Sequence, residues 1–374
     1  MIGLIHAYSR RNAGDGLLID LSLERLERAG IARERCETYA LDAASFSDLP
    51  RVLQVGVPGR RPSPRMVPAG GQLVAAGVEG ATRGRLQLGR VAEHLAAAEA
   101  IVAVGGGYLR TKDLVSSFGT LLNHVPQLSA AAHTPAPTLY LPQSIGPLRG
   151  PVGSLVARLL QGIDVVCVRD DRSKEELRPH LSAIRCPDLA VLRLAEDLER
   201  IELGSPHAGR VVLVGRELTS ASAYEERLLA LSRRLGDVVW ATQAEGLGTK
   251  SDLSLYNRLG VRSGGRLLDL LGKQEARVVV STRLHGAVQA LLAGVPAIHL
   301  GYERKSWGAY EDLGLMRYVH DARTFDPEAV ASQIAALDAD PTDFWTSVER
   351  QRPALLEASE RLTATVRERL AALL

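Results

Sequence analysis

Eight short apolar runs recur between longer helix-like segments: IGLIHA, AIVAVGGG, PTLYLPQS and DVVCVRD in the first half, RVVLVGRE, DVVWATQ, ARVVVSTR and PAIHLGY in the second. Val, Ile and Leu without polar alternation mark strands covered by helices on both faces, because neither face then meets water. The rhythm is βαβ, which predicts an α/β fold of two Rossmann-like domains with parallel sheets. A chain of 374 residues also exceeds one ordinary core. Gly204, Ser205, Pro206 and Gly209 interrupt the pattern, so the join is expected near residue 200, giving domains 1–200 and 201–374. From about Thr342 the tail reads as helical, with Pro353 marking a kink or a break, and these C-terminal helices are free to pack back on the first domain. Gly56 to Arg85, rich in Gly, Pro and Arg, is read as a mobile loop.

Charge narrows the partners. The 45 basic and 43 acidic residues are interspersed and leave a net charge of +2, which argues against a nucleic-acid surface or a basic membrane tail. Cys36, Cys167 and Cys186 stand apart from one another and from any metal-ligand spacing, as expected of buried thiols in a reducing compartment. The first residues lack a leader-like apolar run, and no stretch is long enough to be a transmembrane segment, so a cytoplasmic location is expected.

In open parallel sheets, ligands bind beyond the carboxyl ends of the strands. In the first half those positions hold Asn12, Gly14, Asp15 and Gly16, then Gly105, Gly106 and Gly107, then Gln143, Ser144 and Gly146, then Arg169 and Asp170. Glycines there let the backbone approach a ligand, although tight strand-to-helix turns use them too. GGGYLR is not followed by the acidic residue that a dinucleotide fingerprint requires. In the second half Arg216 follows RVVLVG, and Arg283 and His285 follow VVVST. Read as extended chain, Arg283 and His285 share a side with Leu284 opposite, and a helix starts near Gly286. Two guanidinium forks and an imidazole suit a small polyanion and a proton transfer beside it. Lys305 and Tyr302 follow the next strand, while His6, His299 and His320 read as structural or peripheral.

Together NAGDGLL, VGGGYLR, LPQSIGP, VRDDRS, CPDLA and above all STRLHGAVQALLAGVPAIHLGYERK resemble the polysaccharide pyruvyl transferase family, nearly end to end. The resemblance implies two Rossmann-type domains in a GT-B-like arrangement. It also implies transfer of a pyruvyl group from phosphoenolpyruvate to hydroxyls of a sugar, glycolipid or glycan precursor, usually closing a ketal. By motif, Arg283, Leu284 and His285 would line the phosphoenolpyruvate site with Arg216, Lys305 and Tyr302. His285 would be the acid or base, with Arg283 beside it and Asp15 as a second candidate base. Asn12, Gly14, Asp15, Gly105 to Gly107, Gln143 and Ser144 would face the acceptor from the first domain. The co-substrate is then phosphoenolpyruvate itself, with no cofactor and no metal expected. Aromatic residues make up only 4% of the chain, so few rings can stack on sugars, and Trp307 is the well-placed one.

Two other readings use the same residues. A GT-B glycosyltransferase would need an acid to clasp a nucleotide ribose, a part open to Glu303 or Glu311. A non-catalytic sugar- or anion-binding protein would keep the fold and bind without releasing phosphate.

Overall fold

The computed structural model describes residues 1–55, 90–201, 209–218, 222–245, 251–302 and 307–374. Gly56 to Arg85, read from sequence as a mobile loop, lies outside them, as do Glu303 and Lys305. The chain forms two compact units. The first comprises Met1–Arg10, Asp15–Leu189 and Ser359–Leu374, and the second Arg11–Gly14 and Ala190–Ala358.

The first unit carries a seven-stranded sheet built from β1 (Ile2–Ala7), β2 (Cys36–Ala40), β3 (Val52–Gln54), β4 (Ala100–Ala103), β5 (Thr138–Gln143), β6 (Val165–Val168) and β7 (Ile184–Arg185). Its order is β3-β2-β1-β4-β5-β6-β7, and every pairing is parallel. All six residues of β1 and of β5 are buried, as their unbroken apolar runs require of strands covered on both faces. Strand order reverses between β1 and β4, which opens a crevice at their carboxyl ends.

The second unit repeats the scheme with β8 (Arg210–Val214), β9 (Val238–Thr242), β10 (Ser263–Arg266), β11 (Ala276–Ser281), β12 (Ala297–Gly301) and β13 (Val319–Asp321). The order is β10-β9-β8-β11-β12-β13, again all parallel, with the reversal between β8 and β11. Val212, Val279 and Ile298 from the sheet meet Leu228, Leu291, Tyr310 and Phe344 from the helices in one buried cluster.

The units divide at Leu189/Ala190, not at residue 200, because Val191, Leu194, Ala195 and Leu198 pack into the second core. The tail is a single helix, Thr342–Arg369, with Pro353 inside it, so of the kink or break expected there the break does not occur. Packing on both sides of the proline holds the helix. Phe344, Val348 and Leu355 bury in the second core, and Arg352 donates to the Ala195 carbonyl at 3.0 Å. The last part of the chain, from Ser359, packs on the first unit, where buried Arg25 donates to Ser359 Oγ at 2.8 Å and Thr363 Oγ1 at 2.7 Å. The three cysteines are buried and form no disulfide, and burial pushes the Cys36 thiol up to about 11. Among the described residues no helix is long and apolar enough to cross a membrane.

Candidate functional site

At the second sheet's reversal point, β8 delivers Arg216 and β11 delivers Arg283 and His285. The helix here runs Leu284–Leu292, starting two residues earlier than sequence reading places it. Ser281 causes this: its Oγ accepts from the Arg283 N–H at 3.1 Å and donates to the Arg283 carbonyl at 2.8 Å, which closes the turn at once. Arg283 is the extended residue that precedes the helix, and His285 lies in its first turn, so the two do not share one side of an extended strand. Gly294, with φ +76°, follows the helix's last turn in the left-handed conformation that glycine tolerates best.

The three predicted cations fare differently. Arg283 Nε and Nη2 both donate to Asp252 Oδ1, at 2.8 and 2.5 Å, and Asp252 is fully buried. Its other oxygen accepts from the Gln243 and Ala244 N–H groups at 2.9 Å each. Arg283 is thus a neutralised, fixed guanidinium and not an open charge. Arg216 stacks over the Tyr302 ring, 4.7 Å from its centroid, and donates to the Tyr302 hydroxyl. Its Nε is buried without a partner, and among the described residues no carboxylate pairs with it. Lys305 lies outside the described residues. Leu284 is half-buried against the second core.

A hydroxyl pair links the two strand ends. Tyr224 Oη accepts from the Arg216 N–H at 3.2 Å and meets Thr282 Oγ1 at 2.9 Å, one residue before Arg283. Behind His285 lies His299, fully buried, with Nδ1 3.0 Å from the Ser281 carbonyl and its ring against Tyr310. Burial, and secondarily the neighbouring His285, lower its pKa to about 4, so His299 stays neutral near pH 7.

Asn12 and Gly14 were expected on the first domain, but both group with the second unit. Asn12 bridges Ala244, the Ala13 N–H donates to the Gln243 carbonyl at 3.0 Å, and Gln289 Nε2 reaches the Ala13 carbonyl at 3.2 Å. A Cβ on Gly14 would lie 2.8 Å from His285 Cβ and 3.2 Å from its Nδ1, so glycine is required there by close approach.

The first unit has its own polar edge. Asp15 stands half-buried in the first turn of the helix Ala13–Arg28, and its charge adds to burial in raising the Tyr108 pKa. Gly105 and Gly106 are buried, and Gly107 is half-buried. A Cβ on Gly105 would strike the Pro142 carbonyl at 2.9 Å, and Gly106 has φ +154° with the Tyr108 ring lying over it. The glycine turn is therefore built first for packing. Gln143 is fully buried, and neither its carboxamide nitrogen nor its oxygen has a hydrogen-bond partner. Ser144 Oγ donates to Asp170 Oδ2 at 2.6 Å and accepts from Arg169 Nε at 3.0 Å, while Arg169 Nη1 reaches Asp188 at 2.5 Å. This network explains VRDDRS and CPDLA as braces for the LPQSIGP turn.

Sequence reading gave several of these residues no part. Asp252 sits in a segment without a motif, Gln243 closes the run DVVWATQ, and Gln289 lies within STRLHGAVQALLAG but was given no role. His6, read as structural or peripheral, is the penultimate residue of β1 and has φ +69°, a conformation rare outside glycine. Its Nε2 meets the Tyr140 hydroxyl at 2.9 Å and its Nδ1 meets His124 Nδ1 at 3.3 Å; Tyr108 stacks on His124. The register shift in β1 between Leu4 and Ala7 accompanies that turn of the backbone. Trp307 is partly buried with its indole N–H unpartnered, and Glu311 is exposed on the helix Gly308–Asp312.

Solved structures share the fold. Anabaena Alr3699/HepE in complex with UDP and glucose aligns over 100% of this chain and 98% of its own, at 14% identity and a TM-score of 0.51. Sucrose-phosphate synthase from Thermosynechococcus elongatus aligns over 100% and 97%, at 14% identity and 0.50. The S. aureus MnaA–UDP co-structure aligns over 96% and 94%, at 11% identity and 0.50. Such identities speak to fold alone, that of two parallel-sheet α/β domains found in GT-B glycosyltransferases. No curated protein matches the chain by sequence. The model of the polysaccharide pyruvyl transferase family matches residues 12–249 and 266–304, a span that takes in the Asn12–Gly14 segment, the glycine turn, Gln143, Arg216 and the whole Arg283–His285 turn, while Asp252 falls in the unmatched stretch. With well over half its length matched, the chain belongs to the polysaccharide pyruvyl transferase family and is a transferase.

Proposed function

We propose that the protein moves the pyruvyl group of phosphoenolpyruvate onto hydroxyls of a sugar, glycolipid or glycan precursor, forming a ketal and releasing phosphate. One observation carries the reading: the Tyr224–Thr282 hydroxyl pair joins Arg216 to the Arg283–His285 turn across the reversal point of the second sheet. That is where an open parallel sheet binds a small ligand.

The residue types fit the reaction. A proton goes to the methylene carbon C3, which becomes a methyl group, and C2 takes on oxocarbenium character. An acceptor hydroxyl bonds to C2 and gives up its proton. The C2–O bond to phosphate breaks, a second hydroxyl closes the ketal, and its proton leaves with phosphate. His285 can donate the first proton and recover the second, ending as it began. Arg216 holds the donor's carboxylate or phosphate, with Tyr302 fixing the plane of its guanidinium. Arg283, anchored by Asp252, orients the turn and offers a dipole to the departing phosphate. On the acceptor side, Gln143 brings a donor and an acceptor not committed elsewhere, and Asp15 is the second candidate base. In the first unit Gly105 to Gly107 and Ser144 shape the turns beside Gln143, and in the second Asn12 and Gly14 shape the surroundings of His285.

Incubation with phosphoenolpyruvate and a glycan or glycolipid extract tests this through phosphate release and pyruvyl-shifted acceptor masses. His285→Ala is expected to abolish turnover while phosphoenolpyruvate still raises Tm. Full activity in that variant removes His285 from its role. Stabilisation by nucleoside diphosphates and not by phosphoenolpyruvate would favour nucleotide-sugar transfer instead.

A further inference from the structure

Among the described residues, three of the four most exposed large hydrophobic side chains stand together: Leu114 at 89%, Val115 at 66% and Phe118 at 56%; the fourth, Leu374, is the last residue of the chain. All three lie on the helix Leu114–Asn123. At 3.6 residues per turn, positions 114, 115 and 118 share a face about 100° wide, and the exposed apolar patch occupies the first part of the helix: Leu122, one turn beyond Phe118 on that same face, is buried, as is Thr120 on the opposite side. The start of this helix is fixed, not frayed. Asp113 Oδ1 accepts from the Ser116 N–H at 2.8 Å, and Ser116 Oγ accepts in return from the Asp113 N–H at 3.0 Å, a complete capping box. The apolar face is therefore presented by a rigid element.

Its border is basic. Arg110 and Lys112 are exposed just before the helix, and exposed Arg149 is tied beside them, its N–H donating to Thr111 Oγ1 at 2.6 Å and its carbonyl accepting from the same hydroxyl at 2.9 Å. The acid between them, Asp113, is committed to the cap. Both segments follow carboxyl ends of the first sheet: Arg110 to Phe118 come after β4 and the glycine turn, Arg149 after β5 and Gln143–Ser144. Apolar side chains that project beyond a cationic rim complement a bilayer whose surface is anionic and whose interior is hydrocarbon.

We propose that Leu114, Val115 and Phe118, with Arg110, Lys112 and Arg149, dock the first unit on an anionic lipid surface, so that an acceptor carried by a lipid is met at the membrane. Docking itself stands apart from the transfer reaction. Only the nature of the acceptor rests on the function proposed above, and bare vesicles test docking without it.

The full chain is sedimented with vesicles of phosphatidylglycerol and phosphatidylcholine, and with phosphatidylcholine alone, at low and high salt. Binding to the anionic vesicles that weakens with salt is expected, with partitioning about tenfold lower in Leu114→Ser/Phe118→Ser and in Lys112→Glu/Arg149→Glu. Unchanged circular dichroism and Tm establish that both double variants are folded. Wild-type protein that stays in the supernatant overturns the proposal, and so do folded variants that sediment like wild type. A wild-type dimer that Leu114→Ser/Phe118→Ser converts to monomer, with no vesicle binding by either, makes this face a contact between copies and also overturns it. Vesicle binding with no phosphate release from phosphoenolpyruvate when the glycan and glycolipid extract is also present would leave docking in place and remove the donor reading alone.

Discussion

A methyl group at position 14 would sit 2.8 Å from His285 Cβ, well inside contact distance, so either the imidazole or the Arg11–Gly14 segment must shift. On the role proposed for His285, displacement of a catalytic group by about 1 Å costs on the order of a hundredfold. Gly14→Ala is therefore expected to lower kcat at least tenfold with little change in Tm, and a wild-type kcat would show that His285 tolerates the shift. The arginines separate in the opposite way. Arg283→Ala strands the fully buried Asp252 carboxylate, a loss of about 3–5 kcal/mol, and is read as a fall in stability by urea unfolding. Arg283→Ala/Asp252→Asn should recover part of it. Arg216→Ala breaks no ion pair among the described residues, so it should fold normally and raise KM for phosphoenolpyruvate; the reverse pattern would exchange their roles. Arg283 and His285 were legible in sequence because they directly follow an apolar strand. Asp252 was not: it is 31 positions from its arginine, in a segment whose composition matches many helix starts.

Elements were legible where their side chains form an unbroken apolar run. All eight apolar runs are strands, whereas Cys36–Ala40, Val52–Gln54, Ile184–Arg185, Ser263–Arg266 and Val319–Asp321 went unread, being short or polar and lying toward the sheet edges. SGGR pairs through its backbone, and no side-chain pattern announces that. The helix start was misplaced by two residues because the Ser281 hydroxyl, not the glycine, closes the turn. Of the kink or break read at Pro353, no break occurs for a similar reason, since tertiary packing on both sides outweighs one missing N–H. The last turns of that helix have a test of their own. Arg25, 4% exposed, bonds Ser359 and Thr363, so Arg25→Ala should cost about 2 kcal/mol and speed proteolysis after Ser359. An unchanged denaturation midpoint would mean that Leu362, Val366 and Leu370 suffice to hold it.

Each unit of the molecule buries a neutral histidine at the carboxyl edge of its sheet, and both should set how the fold responds to acid. His6 faces Tyr140, Tyr108 and His124, and burial followed by His124 holds its pKa well below the ordinary 6.5. His299 faces the Ser281 carbonyl, Tyr310 and His285, and burial lowers it to about 4. Below pH 6.5 the unfolded chain takes up protons at these positions while the folded chain does not, so acid favours unfolding. The loss begins near 6.5 and, for His299, ends near 4, at up to about 1.4 kcal/mol per pH unit for each histidine. The capping acids Asp113 and Asp340 also lose stabilisation in acid, but only as pH approaches their ordinary value of 3.8 and below, so the upper window belongs to the histidines. Urea midpoints from pH 7.5 to 4.5 should therefore fall steadily in wild type. His299→Asn keeps a donor for the Ser281 carbonyl, and His6→Asn suits a backbone with φ +69°, so both variants can fold while removing the proton sites. Flattening of the profile in the double variant is the expected result. An equally steep profile would place the acid sensitivity on other groups and leave the histidine pairs with a packing role only.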